Sequence, residues 1–193
     1  ADLGVDILEA GFPSASRVDF EIVQAIASEL APSASAIKIA GLCQLRDEQI
    51  DRTIEALEPA IKFNKAVLHT YVPVDPDLME ASLGERANDK AGIARDVYEF
   101  IKRAADAGMD VEFSPEGYSR MGSNFGFVTD LIRAAVEAGV TTINCPDTIG
   151  GACKFQGGEY FVEKMKEHAA IVKKEFPSRN VIWSVHCHND FGL

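Results

Sequence analysis

Short runs rich in Val, Ile and Leu alternate along this chain with longer segments in which apolar residues recur every three or four positions. The runs have the composition of buried strands, and the longer segments carry the single apolar stripe of helices packed on a sheet. The first run, Val5 to Ala10, stops at Gly11-Phe12-Pro13, and helical spacing follows from about Val18 to Leu30. Ala36 to Ala40 and a helix from about Asp47 to Leu57, with Ile50, Ile54 and Leu57 on one stripe, form the next unit. A third strand, Ala66 to Tyr71, leads through Pro73 and Pro76 to a short helix at Leu78 to Leu83 and a long one from about Asp89 to Ala107. Val111 to Phe113 precedes a helix from about Phe127 to Ala138, and Thr142 to Cys145 precedes one from about Gly158 to Phe176. Val181-Ile182-Trp183 opens a sixth strand.

Strands that recur at intervals of roughly 30 to 45 residues, each followed by a helix, predict a parallel sheet with right-handed crossovers. An open doubly wound sheet is compatible with that spacing, but such a fold usually places a glycine-rich phosphate loop after an early strand, and no G-x-G-x-x-G or Walker motif occurs. The α/β class in the form of a (β/α)8 TIM barrel fits better. A barrel of that kind uses eight strands in about 250 residues, so residues 1–193 are read as part of one catalytic barrel domain with about six βα units, strands 2 to 7. Ala1 to Gly4 read as the end of a helix, and the chain stops just past a strand; the two remaining strands are expected outside these residues.

Chemistry enters with His186-Cys187-His188. Side chains alternate along a strand, so the two imidazoles are expected on one face, as a pair of nitrogen ligands for one divalent ion, with Cys187 packed on the other face. The apolar run before this pair and Asn189-Asp190-Phe191-Gly192 after it place the pair at a strand's carboxyl end, where barrel enzymes carry their chemistry. Other residues on the same expected rim are Glu9, Leu42, Gln44, His69 with Thr70, Ser114 with Glu116, and Asn144 with Asp147 and Thr148. Glu163, Glu167, Glu175 and His168 fall on a helical stretch and are read as ordinary solvated residues.

Composition narrows the partners. Thirty acidic residues against 19 basic ones give a net charge of −11, which opposes binding to nucleic acid or to an anionic membrane. The first residues lack the basic start and apolar core of a signal peptide, and four cysteines without a C-x-x-C pair suggest reduced thiols in a cytoplasmic protein.

Four stretches together carry a resemblance: Glu9-Ala10-Gly11-Phe12-Pro13, Val111 to Glu116, Asn144 to Gly150, and His186 to Leu193. They resemble the 2-isopropylmalate synthases, in the DRE-TIM metallolyase family, over nearly the whole chain. The resemblance implies a metal-dependent Claisen condensation of acetyl-CoA with 2-oxoisovalerate in leucine biosynthesis, by a cytoplasmic enzyme that is a homodimer at full length. It implies His186 and His188 as ligands of a divalent metal (Mn, Mg or Zn), His69 and Thr148 as contacts to the keto acid, and Leu42 as a wall of its side-chain pocket. Glu116 and His69 are the implied catalytic groups, with Ser114 beside Glu116 at the substrate end. The family's first-strand Arg-Asp-Gly-x-Gln motif and its later Asn ligand are not among these residues, so the isolated chain is expected to be inactive. Homocitrate and citramalate synthases, and hydroxymethylglutaryl-CoA lyase running the reverse cleavage, share the fold and stand as alternatives.

Overall fold

The computed structural model describes residues 4–153 and 160–192. Six strands are hydrogen-bonded in chain order: β1 (Ile7–Gly11), β2 (Lys38–Gln44), β3 (Ala66–Pro73), β4 (Asp110–Glu116), β5 (Thr142–Asp147) and β6 (Ile182–Cys187). The β1–β2 and β5–β6 pairs are parallel, with Glu9 opposite Ala40 and Pro146 opposite His186. Between the strands run α1 (Arg17–Leu30), α2 (Asp47–Ile61), α3 (Pro76–Leu83), α4 (Lys90–Asp106), α5 (Phe125–Ala138) and α6 (Phe161–Glu175). This parallel βα succession, with strands in sequence order, is the TIM-type α/β arrangement expected from the spacing. The expected helix end at Ala1 to Leu3 and the helix start at Gly158 lie outside the described residues.

Several elements run further than their local sequence predicts. Helix α2 continues through Pro59 to Ile61. A proline removes one helical donor, but Ala56, Leu57 and Ala60 are fully buried along the same stripe, and that packing holds the last turn. Strands β4 and β5 likewise pass through Pro115 and Pro146 to Glu116 and Asp147. The strand geometry persists because carbonyls past the proline still accept, as when Val74 N–H donates to the Glu116 carbonyl. Helix α1 has a conventional side-chain cap: Ser16 precedes it and its Oγ accepts from Asp19 N–H at 3.1 Å.

The chain divides into two compact units, 1–70 with 99–112, and 71–98 with 113–193. In the first, α1 packs on β1 and α2, and α2 on β2, around Val23, Ile39, Ile50, Leu57 and Leu68. In the second, Phe113, Tyr118, Leu131, Ile132 and Ile143 form the core, with α5 against α6.

Two sequence expectations are corrected. His168 is buried at 1% exposure, because it lies on the face of α6 turned to α5 and to the chain after β4. Cys187 is exposed instead of packed. It belongs to β6, the last strand in the sheet order, and Val185, two residues before it on the same face, is exposed as well, so that face of the strand is uncovered.

Candidate active site

In the first unit, the chemistry gathers around His69. Strand β1 presents Glu9, and Ala40 stands opposite it on β2 with only a methyl group. The Glu9 carboxylate therefore reaches across β2 and meets the His69 ring, Oε1 against Nδ1. From β4, Glu112 Oε1 lies 3.9 Å from His69 Nε2, a charge contact longer than a hydrogen bond. Burial alone would lower the imidazole's pKa, but the Glu9 hydrogen bond and the charges of Glu112 and Glu9 outweigh it, and the net direction is upward. Leu42, two residues beyond Ala40 along β2, is half-buried. Thr70 is fully buried, on the face of β3 opposite His69, and is not a rim residue.

In the second unit, β4, β5 and β6 each end in polar side chains. Ser114 Oγ accepts from Asn144 Nδ2 at 2.9 Å, which ties β4 to β5. Glu116 is half-buried, and that burial raises its carboxyl pKa above the ordinary value. Thr148 Oγ1 accepts from the Gly117 N–H at 2.8 Å. Gly117 has φ +76°, and a Cβ there would stand 2.6 Å from Asp75 Cβ, so this turn needs glycine. Asp147 is buried with both oxygens engaged, Oδ1 by the Ser119 hydroxyl at 2.6 Å and Oδ2 by Ala152 N–H at 2.8 Å. It is a structural anchor of the β5 end.

His186 and His188 emerge on one side of the end of β6, with ring centroids 5.1 Å apart. Two interactions fix the backbone beneath them. His188 N–H donates to the Asp147 carbonyl at 3.2 Å, and a Cβ on Gly150 (φ +64°) would meet the His188 carbonyl oxygen at 2.7 Å, so only glycine allows that approach. Asp190 Oδ2 lies 3.5 Å from His188 Nδ1. The imidazole pair fits two positions of a divalent ion's shell; among the described residues no group of three or more His, Cys, Asp or Glu side chains forms a complete one.

The HMGL-like family profile matches residues 1–193. The chain belongs to the HMGL-like family. Its relatives include the 2-isopropylmalate synthase of Methylococcus capsulatus, 37% identical over 99% of this chain and 34% of that protein. The 2-isopropylmalate synthase of Hydrogenovibrio crunogenus is 39% identical with the same coverage. This HMGL-like chain thus spans about a third of the length of the curated relatives it matches. Among solved structures, the arginine decarboxylase of Paramecium bursaria Chlorella virus bound to agmatine aligns with a TM-score of 0.51 at 11% identity, over 98% of this chain and 48% of that one. At that identity the likeness is one of fold alone.

Sequence reading did not single out Glu112, Ser119 or Gly117. Glu112 could have been found from strand alternation, because it is two residues before Ser114 and four before Glu116 on β4. Ser119 and Gly117 act through a loop whose path no periodicity encodes.

Proposed function

We propose that the protein containing this chain is an acyl-CoA-dependent acyltransferase of the 2-isopropylmalate synthase type, which joins acetyl-CoA to 2-oxoisovalerate in leucine biosynthesis. The observation that carries this reading is the 36–39% identity to 2-isopropylmalate synthases across nearly the whole chain. Residues 1–193 are then part of its catalytic barrel domain. The protein is cytoplasmic, which its free cysteines support, and works as a homodimer.

In this reading His186 and His188 would hold a divalent ion, Mn, Mg or Zn. When bound, the ion supplies Lewis-acid polarisation of the oxo acid's carbonyl. Thr148, already accepting from Gly117, turns its hydroxyl proton to the oxo acid's carboxylate and so orients it. Leu42 limits the substrate's side chain. Glu116, whose burial favours the protonated form, accepts a proton at its carboxylate with more driving force than a solvated glutamate, and Ser114 stands two residues away on the same strand face. His69, held by Glu9 and Glu112, donates toward the oxo acid.

The test is CoA thiol release by the full-length protein from acetyl-CoA and 2-oxoisovalerate, with Mg²⁺ or Mn²⁺ present. Turnover is expected, and His186→Ala or His188→Ala should reduce it by roughly a hundredfold or more. Turnover only with a different oxo acid would favour the homocitrate or citramalate synthase reading. Cleavage of hydroxymethylglutaryl-CoA without any condensation would favour the lyase. The isolated 193-residue chain is expected to release no CoA above background.

A further inference from the structure

The reading above leaves the Glu9 and Glu112 carboxylates without a role of their own, yet they approach His69 from two different strands. Glu9 reaches it over the small Ala40, and Glu112 faces the other ring nitrogen at 3.9 Å. Below them on the same face, Lys38 of β2 pairs with Asp110 of β4 across β3, so side chains two strands apart meet on this face more than once. Tyr71 follows His69 two residues along β3. Glu9 and Glu112 are charged groups that act on the ring, and both favour its protonated form. Glu9 stands 60% exposed, whereas His69 and Glu112 are at 14% and 19%. A carboxylate that only needed solvation would have no reason to turn onto a half-buried ring.

We propose that Glu9 and Glu112 are positioning residues that clamp the His69 imidazole between two carboxylates, so that its orientation and charge state belong to the cluster and not to the isolated ring. Nδ1–H is directed at Glu9, and the ring plane follows from that bond together with the Glu112 charge. The two carboxylates favour the imidazolium form of His69, and the group it meets in a ligand is an acceptor oxygen. This assignment stands on the geometry; its consequence for the oxo acid rests on the function proposed above.

The experiment is site-resolved modification of the full-length protein by diethyl pyrocarbonate, which attacks neutral imidazole, followed over pH by peptide mass spectrometry. The tryptic segment 66–86 contains His69 as its single histidine, and His186 and His188, outside that segment, serve as internal references. In Glu9→Gln the half-modification pH of His69 should fall, and in Glu9→Gln/Glu112→Gln fall further, with the rate at neutral pH rising severalfold; the other histidines should not change. The glutamines keep size and polarity, and an unchanged thermal melt verifies folding. A His69 profile identical in wild type and both variants overturns the proposal. If the profile shifts as expected, the clamp is upheld, and KM for 2-oxoisovalerate then separates the two claims. A severalfold rise in KM with kcat little changed supports His69 as an oxo-acid contact, whereas an unchanged KM removes that contact and leaves the clamp standing.

Discussion

His69 and His168 are both largely withdrawn from solvent, one in each compact unit, yet the two sites push the ring's pKa in opposite directions. Around His69 the partners are carboxylates, which favour the imidazolium. Around His168 they are a phenol, a hydroxyl and an aromatic face: Tyr118 OH at 2.6 Å from Nδ1, Thr129 Oγ1 at 3.0 Å from Nε2, and Phe125 stacked at 4.4 Å. Thr129 donates its hydroxyl to the Phe125 carbonyl at 2.8 Å, so it must accept from His168 Nε2–H. Tyr118 then donates to Nδ1, and both ring nitrogens are satisfied with the ring neutral. Burial, with the nearby positive charges of Lys164 and Arg133, pushes the His168 pKa down to about 4. The difference teaches that burial alone does not fix a histidine's role. What matters is whether its partners accept or donate.

The largest effect should come from emptying the neutral site. His168→Ala removes a fully buried ring and takes from the Tyr118 hydroxyl, itself fully buried, its nitrogen acceptor, a loss on the order of 3 kcal/mol in urea denaturation. The double variant Tyr118→Phe/His168→Phe, which removes donor and acceptor together, should recover a good part of that loss. If the double variant is no more stable than His168→Ala, the hydrogen bond is not what holds the site together.

Next comes the pH dependence, where the two histidines differ in sign. For His168 the native state binds fewer protons than the unfolded chain between about 4 and the ordinary value of 6.5, so its contribution is complete above 6.5 and is lost as pH falls. The size is up to roughly 3 kcal/mol, read as the part of the acid slope of stability that disappears in Tyr118→Phe/His168→Phe. For His69, with a raised native pKa, the contribution is present below the ordinary value and is lost as pH rises through the native one. The stability gap between wild type and Glu9→Gln should therefore narrow as pH rises. A gap that widened would mean that Glu9 does not favour the imidazolium.

Glycine at the turn between the β4 and β5 ends is a smaller lever on the same second unit. Gly117→Ala forces a Cβ against Asp75 at a positive φ and should cost about 1–3 kcal/mol, measurable as a lower Tm. Because Gly117 N–H holds Thr148, KM for the oxo acid should rise as well if Thr148 orients that substrate. Smallest of all, Glu163→Gln on α6 breaks an exposed i,i+3 pair with Lys166 and should change stability by less than about 0.5 kcal/mol. A larger effect would show that the solvated charges of α6 matter as much as its buried His168.

The order of strands and helices was legible in sequence because the patterns are local: short runs of Val, Ile and Leu for the strands, and one apolar stripe along helices that prove to be 14 and 15 residues long in α1 and α2. The His186–His188 pairing was legible for the same reason, since two residues apart on a strand means one face, and the rings indeed lie 5.1 Å apart. Strand ends were less so. Pro115 and Pro146 look like stops, and only pairing with neighbouring strands carries β4 and β5 past them.

What the sequence by itself determined is therefore everything that depends on neighbours along the chain: the βα succession, the parallel class, the acidic balance and the face shared by two histidines. Tertiary structure decided what depends on neighbours across strands and helices. Ala40 lets Glu9 reach His69 only because β1, β2 and β3 lie side by side in that register, and both nitrogens of the buried His168 find partners only because Tyr118 and Thr129 converge on it from 50 and 39 residues away. A side chain's charge state is set by the few ångströms around it, and those are filled by residues whose distance along the chain carries no periodic signal.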